Sequence, residues 1–387
     1  MNEPDDRRYL DLAARAGLRA FGRVDPNPLV GAVLVRDGMV LGIGHHRRFG
    51  GAHAERDAID NARAQRHDPR GATLYVTLEP CNAPGRNPPC TALIRDAGIA
   101  RVVFARLDPH TSKGGGAAAL RDMGIDVRQS DASPLANGLA EPFIKRETTG
   151  LPWVIAKWAQ TIDGRVATRS GESRWISGAL SRRRVHALRT RVDAILTGIG
   201  TVVADDPQLT VRGVRVIRTP VRVVADTDLD IPLDSAIVRS ARETPTCVLC
   251  EAALTNAAIT ARVRGELERA GVRLLGVPGD ASGRGLDLRA ALLSLRRELN
   301  VSSVLVEAGP GLVGALVDAD LVDEAVVYVA PLLLGDELAR SVAVGRVAES
   351  LSAARRLRLW RAKVVGDDME LVYRRIPSAR DQRGSAG

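Results

Sequence analysis

Residues 53–90 read HAERDAIDNARAQRHDPRGATLYVTLEPCNAPGRNPPC. This stretch decides both the architecture and the chemistry expected of the first half of the chain. His53-Ala54-Glu55 opens a segment whose apolar residues recur at helical spacing. ATLYVTLE, rich in β-branched residues, reads as a buried strand running into Pro80-Cys81. Pro88-Pro89 then interrupts the chain, so that Cys90 begins a second helix. One imidazole and two thiolates, from His53, Cys81 and Cys90, give three protein ligands. A catalytic zinc takes three and keeps its fourth position for water. The positive end of a helix favours a thiolate at Cys90. Glu55 stands two residues from the imidazole and can reach that water without binding the metal. It is the expected proton carrier to a ring nitrogen and to departing ammonia. H-x-E, then P-C, then a second Cys at a helix start is the pattern of zinc deaminases, although the spacer between the cysteines is eight residues here rather than two. The alternative is a closed structural zinc completed by His45, His46 or His67, which would leave Glu55 without a task.

Outward from this stretch, residues 5–22 show helical spacing and end on Gly22. Asp25-Pro26-Asn27-Pro28 is a loop. Residues 29–45 read as a hairpin turning at Asp37-Gly38, and RVVFAR as another strand. Strands alternating with helices imply a layered α/β domain. The pattern breaks at Thr148–Pro152 and restarts as strands WVIAKWA, DAILTG, VRVVAD, TCVLCE, VRLLGV, SVLVEAG and EAVVYVAP, with helices near 178–190, 259–270, 287–299 and 311–319. Two late runs, near 358–365 and 370–375, look like a closing antiparallel pair. The expected division is a zinc-dependent deaminase domain at 1–147, a second α/β domain at 152–376, which the resemblance described below implies is a reductase, and a disordered tail at 377–387.

The 387 residues are 45% hydrophobic and 26% charged, a soluble globular composition. No run approaches the roughly 20 apolar residues of a membrane span, and the charged N-terminus does not read as a signal peptide. A cytoplasmic enzyme with reduced cysteines is expected. The net charge of +9 favours anionic partners, either nucleic acid or phosphorylated metabolites. With only 3% aromatic residues the chain lacks stacking platforms, so a phosphorylated small molecule is the expected partner rather than nucleic acid or membrane. Arg182–Arg184 and Arg355-Arg356 read as solvated helix faces. Cys247 and Cys250 also spell C-x-x-C, but on a strand they point to opposite faces and cannot easily clasp one metal.

In the second half, Gly309-Pro310-Gly311-Leu312-Val313-Gly314 fits G-x-G-x-x-G between a strand and a helix, where backbone N–H groups could cradle a pyrophosphate. It lies too late in its domain, and Asp323 follows too soon, for a Rossmann fingerprint. A second glycine turn, Thr197–Thr201, could face the same ligand. Ordinary turn glycine is the alternative for both. Arg189 and Arg212 together could hold a phosphate.

Several strings in order, PNPLVGAVLV, HAE, ATLYVTLEPC, GRNPPC, KWAQTIDGRVA, SGESRWIS, TVVADDPQLTVR and VEAGPGLVGAL, resemble the bifunctional deaminase-reductases of riboflavin biosynthesis over about residues 5–375. The resemblance implies an N-terminal cytidine-deaminase-like three-layer domain followed by a dihydrofolate-reductase-like α/β domain. It implies deamination of 2,5-diamino-6-ribosylamino-4(3H)-pyrimidinone 5′-phosphate, then reduction of its ribosyl group to ribityl with NADPH. By motif, His53, Cys81 and Cys90 would bind Zn2+, and Glu55 would move protons. Asn27, His46 and the basic Arg86 would contact the first substrate. Ala159, Trp175, Thr201, Asp205 and the loop Gly309, Pro310, Gly311, Leu312, Val313, Gly314, Ala315 would line the NADPH site. Lys157, Ser173, Arg189, Leu209, Arg212 and Glu307 would contact the second substrate, with Asp163 in a matching string. A homo-oligomer is expected.

Two loops depart from the family. Where it reads C-S-H-x-G-[KR]-T-P-P-C, this chain has Asn82, Ala83 and Asn87 in place of the Ser, His and Thr. Its D-P-N-P-x-V-x-G-x-G appears as Asp108–Gly116, with His110 for the Asn. The second reading is therefore a diverged enzyme with both chemistries on a related pyrimidine or pteridine, in which deamination is impaired.

Overall fold

The computed structural model describes residues 3–83, 88–110, 114–281, 283, 285–345 and 349–376. Arg86 and the tail from 377 lie outside them. The chain divides into two compact units, one ending at Gly150 and the other beginning at Leu151.

The first unit runs α1 (Glu3–Gly17), β1 (Gly31–Arg36), β2 (Met39–His45), α2 (Ala54–Ala64), β3 (Thr73–Leu78), α3 (Cys90–Asp96), β4 (Arg101–Arg106), α4 (Gly116–Asp122), β5 (Asp126–Gln129), α5 (Pro134–Leu139) and α6 (Glu141–Thr149). Asp37 and Gly38 make the β1–β2 turn with φ of 52° and 77°, the left-handed pair such a hairpin needs. The sheet order is β2-β1-β3-β4-β5, antiparallel on the β2 side and parallel from β3 onward. Alternate strand residues serve opposite faces. Leu34, Leu74, Val76 and Phe104 pack under α2, α3 and α4. Val33, Val35, Tyr75 and Val103 pack under α1 and α5. The result is three layers, as the resemblance implies. The expected helix over 5–22 is shorter: α1 stops at Gly17 and a single 3₁₀ turn, Leu18–Ala20, follows.

Glycine brings α2 unusually close to β2. A Cβ at Gly44 would lie 2.1 Å from the Ala58 amide nitrogen and 2.4 Å from the Ala54 carbonyl, and one at Gly42 would lie 2.3 Å from the Ala58 carbonyl. At this distance, α2 side chains reach the outward amides of the edge strand. Ile43 N–H donates to Asn61 Oδ1 at 3.4 Å, and His45 N–H to Asp57 Oδ2 at 3.0 Å.

The second unit runs β6 (Trp153–Gln160), β7 (Arg165–Ala167), α7 (Ala179–Arg189), β8 (Ala194–Gly198), α8 (Ile199–Asp205), β9 (Val221–Ala225), α9 (Ala236–Arg239), β10 (Thr246–Glu251), α10 (Ala261–Ala270), β11 (Val272–Val277), α11 (Leu288–Leu299), β12 (Ser303–Val306), α12 (Pro310–Asp318), β13 (Glu324–Val329), β14 (Arg340–Ser341), β15 (Leu357–Val365) and β16 (Asp368–Arg375). Nine strands form one sheet in the order β11-β10-β9-β8-β12-β6-β13-β16-β15, parallel until β13 and antiparallel thereafter, while β7 and β14 pair separately. Its two faces carry separate cores. Ile155, Ile195, Val224 and Leu305 face one way; Val154, Leu196, Val223 and Val306 face the other. Cys247 and Cys250 fall on opposite faces of β10 in different cores, which bars a shared metal. The stretch read as a second glycine turn leads straight into helix: Gly198 caps α8 and Gly200 lies within it. Asp323, weighed as a ribose ligand, is buried and accepts from Val154 N–H at 2.7 Å, so it anchors the start of β6. Among the described residues no helix is long and apolar enough to cross a membrane.

Candidate active sites of the two units

In the first unit, two strand-to-helix passages converge, β2 to α2 and β3 to α3. His53 is the N-cap of α2, Cys81 follows the end of β3, and Cys90 is the first residue of α3. His53 Nδ1 lies 3.5 Å from Cys81 Sγ and 3.3 Å from Cys90 Sγ. A zinc with tetrahedral angles, about 2.0–2.1 Å from nitrogen and 2.3 Å from sulfur, holds such ligand atoms about 3.5–3.6 Å apart. The donor set therefore fits the ion in both chemistry and spacing. Among the described residues the group holds three ligand residues. His45 is turned to Asp57, and both ring nitrogens of His46 have other partners. That favours an open, catalytic coordination over a closed structural one. The thiols already share charge: the Cys90 S–H bonded to Cys81 and the nearby His53 pull the Cys81 thiol down to about 4.

Glu55 lies in the first turn of α2 and is 4% exposed. Burial raises its pKa above the ordinary carboxylate value, against the opposing pull of His53. A carboxyl held back from ionising in this way is suited to hold a proton and pass it on. His46 Nδ1–H donates to the Ala52 carbonyl at 2.9 Å, leaving Nε2 to accept from the Asn27 amide at 3.1 Å. Burial lowers its pKa and so favours this neutral form. Asn27 Oδ1 is not needed for that bond. Asn27 and His46 thus meet beside the metal ligands, the His46 and His53 ring centres being 5.7 Å apart.

The altered loops are tied down by this chain's own residues. Asn82 Oδ1 accepts from Thr91 on α3 at 3.0 Å. Glu79, two residues before Cys81 and buried, accepts from Ala117 N–H at 2.9 Å and Asp108 N–H at 3.2 Å, gripping both ends of the loop after β4. Sequence reasoning missed Glu79. Its signal was a carboxylate closing an otherwise apolar strand.

In the second unit the candidate residues gather at the carboxyl ends of parallel strands, where open α/β sheets bind ligands. Glu307, just past β12, accepts from Arg189 at 2.6 and 3.1 Å and from Lys157 on β6 at 2.8 Å. Burial alone would raise the Glu307 pKa, but the two cations hold it far below the carboxylate range. Arg189 also donates to the Thr210 carbonyl at 2.8 Å. Its fork is therefore engaged within the protein rather than poised with Arg212 as a phosphate clamp. Arg212 is exposed and reaches Gln208 at 2.9 Å. Leu209 has its side chain in the core and φ of 49°, so its backbone is what remains for a substrate. Its left-handed conformation costs on the order of 1–3 kcal/mol. It is held by Arg189 on the Thr210 carbonyl and by Arg222 on the Gln208 carbonyl at 3.1 Å. Arg222 is fully buried, and its guanidinium also meets Ser240, Ile237, Thr244 and Thr246.

The two glycine segments do face each other. Gly309 N–H donates to Thr201 Oγ1 at 3.1 Å, and a Cβ at Gly198 would meet Leu312 at 3.7 Å. Gly309 caps α12, and Val313 N–H makes the first helical bond, to the Gly309 carbonyl. The orphan N–H groups of the helix start belong to Gly311 and Leu312. Val313 faces the core, and a Cβ at Gly314 would lie 2.0 Å from the Val344 carbonyl. The cradle thus narrows to Gly309–Leu312, with Ala315 exposed on the next turn. Ala159 lies near the end of β6. Arg174, beside Ser173, donates to the Asp205 carbonyl at 2.8 Å. Trp175 is 67% exposed under the Arg182 guanidinium. Asp163 accepts from Thr161, Leu334 and Gly335, bonds that hold it at about 2 and give it a turn-building task.

The family model "Cytidine and deoxycytidylate deaminase zinc-binding region" matches residues 3–106, and "RibD C-terminal domain" matches 152–371. The chain is 37% identical to the riboflavin biosynthesis protein RibD of Aquifex aeolicus, over 96% of this chain and 98% of that one. It is 38% identical to the Escherichia coli protein of the same name, over 94% and 98%. Among solved structures, it resembles form 1 of Acinetobacter baumannii RibD (TM-score 0.75, 33% identity, 97% of this chain and 100% of that one). It likewise resembles a Thermotoga maritima diaminohydroxyphosphoribosylaminopyrimidine deaminase/5-amino-6-(5-phosphoribosylamino)uracil reductase (TM-score 0.75, 32% identity, 97% and 99%). With a zinc-deaminase constellation in one unit and a reductase sheet in the other, matched along nearly the whole length, the chain belongs to the RibD family of bifunctional deaminase-reductases of riboflavin biosynthesis.

Proposed function

We propose that the first unit deaminates 2,5-diamino-6-ribosylamino-4(3H)-pyrimidinone 5′-phosphate at His53, Glu55, Cys81 and Cys90, and that the second reduces the ribosyl group of the product at the carboxyl ends of β6, β8 and β12. The observation that carries the reading is the three-ligand group with a buried Glu55 beside it. When bound by His53, Cys81 and Cys90, zinc supplies the Lewis acidity that makes water nucleophilic near neutral pH. Glu55 takes one proton as water adds to the amino-bearing carbon and passes it to the ring nitrogen; it then takes the hydroxyl proton of the adduct as the carbonyl forms and delivers it to the amine, which leaves as ammonia. Asn27 and His46, locked to each other, orient the ring. Arg86 supplies a further substrate contact.

NADPH supplies the hydride of the second reaction. In the Gly309–Leu312 segment, Gly311 and Leu312 present backbone N–H groups to its phosphates, with Thr201, Asp205, Ala159, Trp175 and Ala315 around it. Lys157 spends one of its three N–H donors on Glu307 and keeps two for a substrate oxygen. Arg189 and Glu307 hold Lys157 and the Thr210 carbonyl in place, while exposed Arg212 and Ser173 meet the phosphate. The positive net charge draws in a phosphorylated metabolite rather than nucleic acid. The enzyme works in the cytoplasm as a homo-oligomer, to be checked by fractionation and light scattering. Identities above 35% along the whole chain favour this substrate over a related pyrimidine or pteridine.

The test is mass spectrometry on the purified chain with the diaminopyrimidinone substrate. Deamination raises the mass by about 1 Da, and reduction by about 2 Da more only when NADPH is present. Absence of the first step, with reduction of the deaminated compound intact, would overturn the assignment of the first unit.

A further inference from the structure

The closing helix of the first unit reaches two separate loops, one at Pro26 and one at His110, through two adjacent residues. Arg146 on α6 is 6% exposed. One arm of its guanidinium donates to the Pro26 carbonyl at 2.5 Å, next to Asn27. Its Nε donates to Glu147 Oε1 at 2.7 Å. The other Glu147 oxygen lies 2.9 Å from His110 Nε2, and the opposite ring nitrogen of His110 lies 3.2 Å from Asp108 Oδ1. A continuous polar chain thus runs from the loop carrying Asn27, through α6, to the loop after β4. That second loop leans on the metal ligands' own supports. A Cβ at Gly116 would lie 1.8 Å from the Pro80 carbonyl and 3.4 Å from the Thr91 side chain.

A buried guanidinium is costly unless its donors are well used. Here the fork spans a backbone carbonyl and a carboxylate, which a lysine could not do. Burial alone would raise the Glu147 pKa, but its bonds from Arg146 and His110 hold it below the ordinary carboxylate range.

We propose that Arg146 and Glu147 form a clamp, closed by His110, that sets the spacing of the two walls of the deaminase pocket. These are positioning residues that act through Asn27 and the Asp108–His110 segment. Their place explains how a loop with His110 in place of the family's Asn is still held. The proposal rests on the reading of Asn27 as a substrate contact.

The experiment uses the full-length chain carrying Arg146→Met, Arg146→Lys, Glu147→Gln, His110→Ala, Asn27→Ala and the double variant Asn27→Ala/Arg146→Met. Deaminase KM and kcat are measured with the diaminopyrimidinone substrate, and zinc content is determined for each. The clamp predicts that Arg146→Met, Glu147→Gln and His110→Ala each raise KM by about tenfold, the scale of one lost charge-assisted hydrogen bond, with kcat changed far less and zinc retained. Arg146→Lys does not rescue. Adding Arg146→Met to Asn27→Ala raises KM no further, because a residue acting through another has nothing left to act on. Unchanged KM in Glu147→Gln and His110→Ala, or full additivity in the double variant, overturns the clamp. So does Arg146→Met losing its zinc while Glu147→Gln keeps a normal KM. Should Asn27→Ala itself leave KM unaltered, the substrate reading of Asn27 fails and the clamp's route fails with it. A raised KM in Asn27→Ala beside an inert Arg146→Met removes the clamp alone.

Discussion

Replacing Glu307 by Gln removes the one negative centre between Lys157 and Arg189 while keeping the size of the side chain. Three contacts of 2.6 to 3.1 Å meet at this carboxylate. At an effective dielectric of about 20, each charge pair at this range gains about 5–6 kcal/mol before desolvation. The neutral amide leaves two cations facing each other in a largely buried place, and breaking a buried pair from one side costs about 3–5 kcal/mol. Lys157→Met removes one partner and leaves the Arg189 fork intact, so about 1.5–3 kcal/mol is expected. All four tryptophans, Trp153, Trp158, Trp175 and Trp360, lie in the second unit. Tryptophan fluorescence of the whole chain during urea unfolding therefore follows that unit alone. With a slope of about 2–3 kcal/mol per molar urea, Glu307→Gln should lower the midpoint by about 1–2 M, and Lys157→Met by about half as much. The difference between wild type and Glu307→Gln should also depend on pH. The native Glu307 pKa is depressed, so its contribution is full above the unfolded value of about 4.3 and is lost as pH falls toward the folded one. A Glu307→Gln midpoint within a few tenths molar of wild type, or a Lys157→Met loss as large as the Glu307→Gln loss, would refute the assignment of Glu307 as the charge centre.

Glu55→Gln should lower deaminase kcat by about 10²-fold or more with one zinc per chain still bound, as counted by atomic absorption. A chelator that strips the metal should abolish deamination yet leave NADPH-dependent reduction of the deaminated compound unchanged, since no reductase residue lies in the metal group. Gly44→Ala must push α2 off β2, because its Cβ would meet backbone 2.1 Å away; faster zinc release in a dye-chelation assay is the expected sign. Arg222→Met leaves the Gln208, Ile237 and Thr244 carbonyls without their buried donor. It should destabilise the second unit by about 3 kcal/mol or more by the same fluorescence measurement, and raise the reductase KM by loosening Leu209.

What could be read in the sequence follows from how locally each feature is encoded. The β1–β2 hairpin was legible because Asp37-Gly38 carries its own turn geometry. The His53, Cys81 and Cys90 group was legible because each of the three sits at a strand end or helix start marked by proline or by a change of period. The seven parallel strands of the large sheet stood out as apolar runs because parallel strands are buried on both faces. β5 was not legible: DVRQ contains one apolar residue and is a strand only because β4 lies beside it. The start of α8 was masked by Gly198 and Gly200, which read as turn. Arg146, Arg222 and Glu79 were illegible for a different reason. A lone charged residue in a sequence looks like surface, and what makes these three structural is the set of distant carbonyls and amides that the fold brings to them.

The close seating of α2 on β2 joins two properties that are usually separate. The same helix presents His53 at its start and, further along, uses Asp57 and Asn61 to occupy the outward amides of the sheet's border strand. A border strand with unoccupied amides invites pairing with a neighbouring chain. Ion retention and resistance to clumping therefore hang on one hinge: whatever lifts this helix to release the ion also unsheathes the border.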